Sequence, residues 1–247
     1  MDLSYQADYF SAEENHWWFV SRRNYILKLI KKAEKSSKGP LAILEIGCSA
    51  GPLTEELERR GHKVSAIDIS TEAIRAAGKR SLKKSSFLVM DGGSPSFEKE
   101  SFDFIIASDV LEHIKDDTVA ISNWSALLKK GGQLAIFVPA FSFLWSHHDV
   151  VNHHFRRYSL AELKRKVRGN KELKVIKMSY WNFTLFLPVL LFRLLFKEKQ
   201  TDNLTMPSSL MNGIFKFFLR IENSLLSFLS FPFGVSCFVL LEKENKA

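Results

Sequence analysis

A short turn with two glycines, at residues 47–51, is the first feature of this sequence with a chemical consequence. The apolar run before it predicts a buried parallel strand, and Pro52 after it predicts the first turn of a helix. A strand, a glycine turn and a helix start let a ligand approach the backbone closely and meet free N–H groups. Glu45 precedes the first glycine by two residues. A carboxylate there would repel a pyrophosphate but could attract an ammonium group.

A second carboxylate, Asp68, ends the next predicted strand and follows Gly47 by 21 residues. An acid in this position can accept hydrogen bonds from both hydroxyls of a ribose. The two glycines are four residues apart and do not form the G-x-G-x-x-G pattern of dinucleotide sites. These residues therefore favour a ligand with a ribose and a positive end but no phosphate.

Predicted strands alternate with predicted helices, which indicates a parallel sheet with helices on both faces. The predicted strands cover residues 41–46, 63–68, 86–92, 101–108, 132–139, 173–180 and 235–243. The predicted helices cover residues 52–60, a segment capped by Ser70, a segment starting near Asp109, and a segment capped by Ser159. Ligands of such sheets bind at the carboxyl ends of the strands. The polar or turn residues expected at this edge are Gly47, Asp68, Asp91 and Ser108.

The composition is compatible with one large domain, or one domain with an insertion, and it indicates anionic partners. The chain has 247 residues, 46% of them hydrophobic, with a net charge of +8 and a pI near 9.4. No compact block of Lys and Arg stands out, so nucleic acid is not favoured. The two cysteines, Cys48 and Cys237, argue against a disulfide framework, and the N-terminus lacks a signal-peptide pattern. A reducing, cytoplasmic location is expected.

The E-x-G-x-x-x-G turn together with Asp68 resembles the class I S-adenosylmethionine-dependent methyltransferases. The resemblance implies S-adenosylmethionine (SAM) as cofactor and a Rossmann-like α/β fold. It implies a doubly wound sheet of seven strands, in which strand seven runs antiparallel between strands five and six. It also implies that Asp91 hydrogen-bonds the adenine amino group; the alternative is a simple turn before Gly92. The residues expected to hold SAM are Glu45, Gly47, Cys48, Gly51, Asp68, Ile69, Asp91, Gly92, Ser108 and Arg22.

The first 40 residues predict a helical N-terminal arm ahead of a methyltransferase domain at 41–247. The sequence Glu-x-x-His-Trp-Trp-Phe at 13–19, followed by an arginine pair, resembles the opening of a bacterial and archaeal methyltransferase group often tied to cell-surface polysaccharide and lipid genes. Such an arm could form a lid over the cofactor, with Arg22 on the SAM carboxylate. The alternative is a helix packed on the sheet with its cations in solvent.

Four of the seven histidines lie within eight residues, directly after the fifth predicted strand and so over the expected methyl-donor site. The spacing D-x-x-x-x-H-x-R-R-Y at 149–158 matches the same methyltransferase group. Transfer to an alcohol or phenol needs a base near the acceptor oxygen, and histidine titrates near neutral pH. The expected catalytic set is His154 as base, Asp149 as its orienting group, Arg156 or Arg157 as an anion clamp, and Tyr158. The alternatives are a structural hinge and, less favoured without paired cysteines, a zinc site.

A second constellation is Asp109, Glu112 and His113, which would share one face of a helix. Two carboxylates and an imidazole could bind a divalent ion. An E-x-x-E-H version of this stretch is a metal site in small-RNA 2′-O-methyltransferases and resembles that of ubiquinone O-methyltransferases. Here Asp109 replaces the first glutamate, which shortens its reach. We therefore expect no metal, and interpret this stretch as a helix cap with His113 lining the pocket. If a metal is used, Asp109, Glu112 and His113 are the candidate ligands.

About 50 residues, 182–233, separate the sixth and seventh predicted strands, where a short hairpin is usual. Their first apolar segment has about 14 residues with Pro188 and Arg193 inside, and a membrane span needs about 20. The second segment has apolar residues at helical spacing and predicts an amphipathic helix. The insertion could cover the active site, contact a membrane surface, or form a dimer contact.

We therefore predict a SAM-dependent methyltransferase that O-methylates a hydroxyl of a glycan, a lipid-linked acceptor or a small molecule. One alternative is an N- or carboxyl-methyltransferase, although no N/D-P-P-Y-type signature follows strand four. The other is a non-catalytic SAM-binding protein that associates with a membrane. The expected location is cytoplasmic, with peripheral contact to the inner face of the membrane through the insertion, and a homodimer remains compatible with the sequence.

Overall fold

A seven-stranded mixed sheet forms the centre of the computed structural model, which describes residues 3–37, 39–195 and 206–245. The strands are β1 (Ala42–Ile46), β2 (Lys63–Asp68), β3 (Ser86–Val89), β4 (Phe102–Ser108), β5 (Leu128–Pro139), β6 (Leu173–Trp181) and β7 (Ser236–Lys243). Their order is β3-β2-β1-β4-β5-β7-β6, with β1 to β5 parallel and β7 antiparallel to both of its neighbours. This topology confirms the predicted Rossmann-like fold, including the place of strand seven.

Helices cover both faces of the sheet. They are α1 (Leu3–Asn15), α2 (Trp17–Ser37), α3 (Pro52–Arg59), α4 (Thr71–Ala77), α5 (Asp117–Leu127), α6 (His147–Val151), α7 (Leu160–Arg168), α8 (Phe186–Leu195) and α9 (Ser209–Leu225). The Ser70 side chain accepts a hydrogen bond from the Ala73 N–H at the start of α4, and Ser159 caps α7 in the same way through Glu162. Both N-caps therefore lie where the sequence predicted them.

Two apolar clusters, one on each face of the sheet, make up the core. On one face, side chains of α5 and α7 pack against β4, β5 and β7 around the fully buried Trp124. On the other face, α2, α3 and α9 pack against the same sheet, with Tyr25 of α2 edge-on to Phe238 of β7. The second helix of the N-terminal arm is therefore part of the core, because its apolar stripe supplies one wall of this cluster.

The helix predicted to start near Asp109 is absent from the described structure. Asp109 has a φ of +56°, which is incompatible with a right-handed helix. A single 3₁₀ turn at Leu111–His113 follows instead, and α5 begins only at Asp117. The predicted sharing of one helical face by residues 109, 112 and 113 was therefore wrong.

The insertion contributes the two helices α8 and α9, and its residues 196–205 lie outside the described residues. Glu222 of α9 is completely buried and joins this helix to the start of α8. Its carboxylate accepts hydrogen bonds from the N–H groups of residues 182, 183 and 184 and from the Thr184 hydroxyl, at 2.6–3.1 Å. None of the described helices combines the length and the apolar character that crossing a membrane requires.

Replacing Glu222 with alanine should lower the free energy of unfolding by about 3 kcal/mol, because buried N–H donors would lose their acceptor. Urea unfolding followed by circular dichroism measures this loss. Ser224→Ala, at an exposed position on the same helix, is the matched control and should change stability by less than about 0.5 kcal/mol. Equal stability of the two variants would contradict the role of Glu222 as the anchor of the insertion.

Candidate active site

A cavity of about 820 Å³ opens at the carboxyl ends of β1, β2 and β4. Its volume suits a small-molecule site, and its position is the edge at which open α/β sheets bind ligands. Four parts of the chain line it: the helices α1 and α2, the loops that follow the strands, the histidine segment at 147–158, and the insertion. The site therefore combines segments that are far apart in sequence.

The glycine turn at 47–51 brings the backbone to the cavity wall. Gly47 has a φ of +73°, and a Cβ there would collide with Val110, so this position requires glycine. Gly47 and Cys48 both line the cavity. Gly51 does not occur among the described lining residues; it has a φ of +79° before α3, and a Cβ would lie 2.7 Å from Phe87. Its role is therefore in packing and in the start of α3.

The two predicted acids, Glu45 and Asp68, both line the cavity next to this turn. The Asp68 carboxylate accepts hydrogen bonds from the N–H groups of Ser49 at 3.0 Å and Ser70 at 2.9 Å, which fixes its orientation. Glu45 accepts a hydrogen bond from the Thr54 hydroxyl. Burial raises the pKa of Glu45 to about 8 and raises the pKa of Asp68 above its usual range.

A third acid, Glu13 of α1, lies at the same end of the cavity and was not predicted as a site residue. Its carboxylate accepts a hydrogen bond from the Ala50 N–H at 3.4 Å and is only 8% exposed. Burial raises the pKa of Glu13 to about 8, against its hydrogen bonds to Ser49 and Ala50 and with the help of the charges of Glu45 and Asp68. The glutamate is part of the quoted Glu-x-x-His-Trp-Trp-Phe motif, but nothing in that motif indicates that α1 reaches the glycine turn.

The predicted adenine side of the site consists of the residues that follow β2 and β3. Ile69, Asp91 and Gly92 all line the cavity. The exposed carboxylate of Asp91 accepts hydrogen bonds from the Gly93 N–H at 2.8 Å and the Ser94 hydroxyl at 3.2 Å. Asp91 thus shapes a turn, as the alternative proposed, and also faces the cavity. Gly92 passes so close to β1 that a Cβ would lie 2.7 Å from Ile46.

Arg22 of α2 lies at the centre of the cavity wall, but its donors are largely occupied. It donates to Asp109 at 2.9 Å, to Ser108 at 3.3 Å and to Ser236 at 2.8 Å. Its guanidinium carbon lies 4.2–5.1 Å from the ring centroids of three aromatic residues, Trp18, Phe137 and Trp181. Among the described residues its Nε has no hydrogen-bond partner. The structure therefore gives Arg22 a clamp role across the sheet edge rather than an open carboxylate site.

The neighbouring Arg23 also lines the cavity, on the side of the glycine turn. It donates to the carbonyl oxygens of Glu13 at 2.9 Å and Glu14 at 3.4 Å. Burial lowers the pKa of Arg23, and the charges of Glu14 and Glu13 oppose this shift. Arg23 is therefore the arginine of the arm that lies nearest to the acidic end of the cavity.

At the opposite wall, the histidine segment forms a compact charged cluster around Asp149, which is fully buried. His154 Nδ1 lies 2.8 Å from Asp149 Oδ1, and Arg157 donates to both carboxylate oxygens at 2.8 and 2.9 Å. Burial opposes ionisation of Asp149, but the hydrogen bonds of His154 and Arg157 outweigh it and hold the pKa of the carboxyl below its usual range. An ionised Asp149 fixes the Nδ1–H tautomer of His154 and leaves Nε2 as the free acceptor.

The structure brings only part of the predicted catalytic set to the cavity. His154 and Arg157 are lining residues, while Arg156 and Tyr158 do not occur among the described residues of the wall. Arg156 pairs with Asp117 at 2.7 Å, and the buried Tyr158 hydroxyl donates to the same carboxylate at 3.0 Å. These two side chains therefore fix the start of α5, and both arginines of the motif have carboxylate partners of their own.

The 3₁₀ turn at Leu111–His113 places two further groups beside His154. Ligand atoms of Glu112, His113 and His154 lie within 4.8 Å of one another, a spacing that a divalent cation could bridge. Both carboxylate oxygens of the buried Glu112 have no hydrogen-bond partner among the described residues, and burial, with the Asp109 charge, raises the pKa of Glu112. Asp109 instead pairs with Arg22, so His154 takes the place that the sequence assigned to Asp109.

The comparisons with known proteins agree with this geometry. The family model described as a methyltransferase domain matches residues 44–136. The ubiquinone biosynthesis O-methyltransferase of Xanthomonas euvesicatoria pv. vesicatoria is 31% identical over 139 residues, which cover 52% of this chain and 58% of that protein. The chain thus spans less than two thirds of the length of this relative.

Solved structures resemble the whole chain at lower identity. A chain from the complex between the Haloferax volcanii Trm112 methyltransferase activator and a methyltransferase has a TM-score of 0.63 at 17% identity, covering 99% of this chain and 96% of that chain. The N-methyltransferase NodS of Bradyrhizobium japonicum, in complex with S-adenosyl-L-homocysteine, has a TM-score of 0.57 at 18% identity, with coverage of 96% and 91%. At such identities the likeness establishes the shared fold.

The neutral state of Glu13 has a measurable consequence for stability. Its pKa is about 8 in the folded protein and near 4.5 when exposed, so between these pH values the unfolded chain has released a proton that the folded protein keeps. The free energy of unfolding of the ligand-free protein should therefore fall as the pH rises through this window. Glu13→Gln should make this fall shallower in urea titrations at a series of pH values.

Glu98→Gln, at an exposed position, is the control and should leave the slope unchanged. An equal slope in the wild-type protein and Glu13→Gln would show that Glu13 is ionised in the folded protein.

Proposed function

We propose that the protein is a class I SAM-dependent methyltransferase that transfers the methyl group of SAM to a hydroxyl oxygen held beside His154. The observation that carries this proposal is the His154–Asp149 pair, which presents an oriented imidazole at the cavity wall. A histidine oriented by a buried carboxylate can accept the proton of an acceptor hydroxyl. The likeness to methyltransferases supports the fold and the cofactor class, and the proposal adds the activity.

The cavity fits the cofactor in shape and in charge. Gly47 lets the backbone approach a ligand, and Asp68 lines the cavity, where its carboxylate would accept hydrogen bonds from the hydroxyls of a ribose. Glu13 and Glu45 suit the ammonium group of the methionyl part, and Arg23 is the nearest arginine for its carboxylate. When bound, SAM supplies a methyl carbon attached to a positively charged sulfur.

The chain's own residues then have to position the acceptor and receive one proton. As the acceptor oxygen bonds to the methyl carbon, the carbon–sulfur bond breaks and its electron pair remains on sulfur in S-adenosylhomocysteine. The hydroxyl proton passes to Nε2 of His154, while Asp149 keeps Nδ1–H oriented and stabilises the resulting imidazolium. Arg157 keeps Asp149 ionised throughout, and most of the remaining effect comes from holding the two reactants in line.

The remaining wall supports an acceptor with apolar character. Trp17 and Trp18 of the arm, Pro188 and Val189 of α8, and Phe215 of α9 line the cavity. Such a wall suits a lipid-linked or aromatic hydroxyl better than a bare glycan. The name of the Xanthomonas relative, a ubiquinone biosynthesis O-methyltransferase, supports oxygen as the accepting atom.

A divalent cation is a second way to activate the same hydroxyl. The unpaired carboxylate of Glu112, close to His113 and His154, is the observation that favours it. A cation there would bind the acceptor oxygen directly, and His154 would be a ligand instead of a base. The two mechanisms place the same acceptor in the same part of the cavity.

His154→Ala should lower turnover by about a hundredfold or more and leave the affinity for SAM within a few-fold of wild type, because His154 bonds to Asp149 and to none of the acids at the glycine turn. Labelled SAM and fractionated cell extract give the turnover, and equilibrium dialysis gives the affinity. His153→Asn is the matched control, since residue 153 is exposed and its φ of +55° is tolerated by asparagine. Unchanged turnover in His154→Ala would contradict the assignment of His154 as the base.

The same assay separates the alternatives. A chelator should leave wild-type turnover within about twofold if His154 is a base, and should abolish it if a cation is required. Label on an amine or a carboxyl group would favour N- or carboxyl-methylation. Normal SAM affinity with no transfer to any fraction would favour a non-catalytic SAM-binding protein.

A further inference from the structure

Helix α9 turns its apolar face outward. Leu210 is 74% exposed, Phe217 61% and Phe228, just beyond the helix, 87%. The exposed apolar residues at helical spacing, here called the outer stripe, are Leu210, Ile214, Phe217, Phe218, Ile221, Leu225, Phe228 and Leu229. An ordinary surface helix buries such a stripe, so its exposure calls for a covering partner.

Polar contacts on the opposite side hold the helix in this orientation. Asn212 accepts from the Trp17 N–H at 2.8 Å and donates to the Asn15 carbonyl oxygen at 3.0 Å. Asn223 accepts from the Trp181 indole at 2.9 Å and donates to the Ser21 carbonyl oxygen at 2.9 Å. Glu222 of the same helix is also buried and accepts hydrogen bonds from the segment just before α8. Rolling α9 to bury the outer stripe would break all of these hydrogen bonds.

Cations flank the outer stripe. The exposed Arg220 lies one helical turn from Phe217 at the border of the outer stripe, whereas Lys216 lies towards the inner side of α9, where its charge acts on His16 of the arm. Lys28 donates to the Asn223 carbonyl oxygen at 3.1 Å, and Lys177 donates to the Leu229 carbonyl oxygen at 3.0 Å. Glu222 is the only acid of the sequence between positions 209 and 229, and it is buried. The outer stripe is therefore an apolar surface with the cations Arg220 and Lys177 beside it and no exposed acid on the same helix.

An apolar stripe with cations beside it distinguishes between two possible binding partners, a second copy of the chain and a lipid bilayer. A second copy docked through the same stripe would bring the two sets of cations together with no exposed acid on either helix to balance them. A bilayer with anionic headgroups supplies both an apolar phase for the stripe and negative charge for its edges. The net charge of +8 acts in the same direction.

We propose that the outer stripe of α9 docks on the surface of an anionic lipid bilayer, with the helix lying in the plane of the interface. Arg220 then extends to the headgroups while the aromatic and aliphatic side chains enter the acyl boundary. Phe215 on the inner side of the same helix lines the cavity, so the docked helix lies between the lipid and the active site. A membrane-borne hydroxyl acceptor follows from this arrangement, and that extension rests on the proposed function.

Vesicle flotation with the full chain tests the docking without any turnover. We expect binding to phosphatidylcholine vesicles that contain about one third phosphatidylglycerol, weaker binding at high salt, and little binding to phosphatidylcholine alone. Phe217→Glu and Ile221→Glu should each lower the bound fraction about tenfold. Val119→Glu, an exposed apolar position on the helix α5 that packs on the other face of the sheet, is the matched control and should bind like wild type.

Sedimentation of the same variants identifies the other occupants. A wild-type dimer that Phe217→Glu dissociates, without vesicle binding, would overturn the proposal in favour of a second copy. If the protein neither dimerises nor binds vesicles, the proposal is also overturned, and a partner protein becomes the expected occupant of the outer stripe. His154→Ala should float like wild type, so a loss of methyl transfer and a loss of docking are measured separately.

Discussion

One buried charge, the guanidinium of Arg22, joins the parts of the chain that make the site. It reaches from α2 to the end of β4 through Asp109 and Ser108, and to the start of β7 through Ser236. Three aromatic rings enclose it, from the arm, from β5 and from the end of β6. A buried charge is stable only when it is paired, so the arm and the sheet must be assembled together for Arg22 to be accommodated. Loss of Asp109 would leave this charge without its carboxylate partner.

The two ends of the cavity handle charge in opposite ways. At the glycine turn, burial raises the pKa of Glu13 and Glu45 to about 8, although the charges of Arg23 and Arg80 oppose the shift at Glu45. A positively charged ligand restores their ionised state, so this end is complementary to a cation and not to a phosphate. At the histidine segment, Arg157 and His154 keep Asp149 ionised at all working pH values. Under the proposed function, the acidic end would bind the cationic cofactor and the ionised Asp149 would orient the base.

Sequence reasoning predicted the strands and most of the cofactor residues that line the cavity, because strands and glycine turns are encoded locally, while the place of strand seven came from the resemblance to a family. The sequence-based predictions were wrong or incomplete where contacts between distant segments determine the local structure. A positive φ at Asp109, stabilised by the pairing of its carboxylate with Arg22, breaks a helix that the pattern favoured. Glu13 reaches the glycine turn only because α1 folds back over the sheet, which no short motif encodes. The apolar periodicity of α9 was correct, but the period alone does not say which side faces the core, and here polar anchors such as Glu222 decide.

The position of the insertion follows from the sheet topology. Since β7 is antiparallel to both β5 and β6, strand β6 ends and strand β7 begins at the edge where the cavity opens. Any lengthening of the connection between them therefore adds structure beside the cavity, whereas lengthening a connection at the opposite edge would not. The chain places helices there that are anchored by buried polar side chains and carry an exposed apolar stripe. Because the anchors and the stripe belong to the same helix, the surface that meets a partner is rigidly coupled to the wall that meets the acceptor.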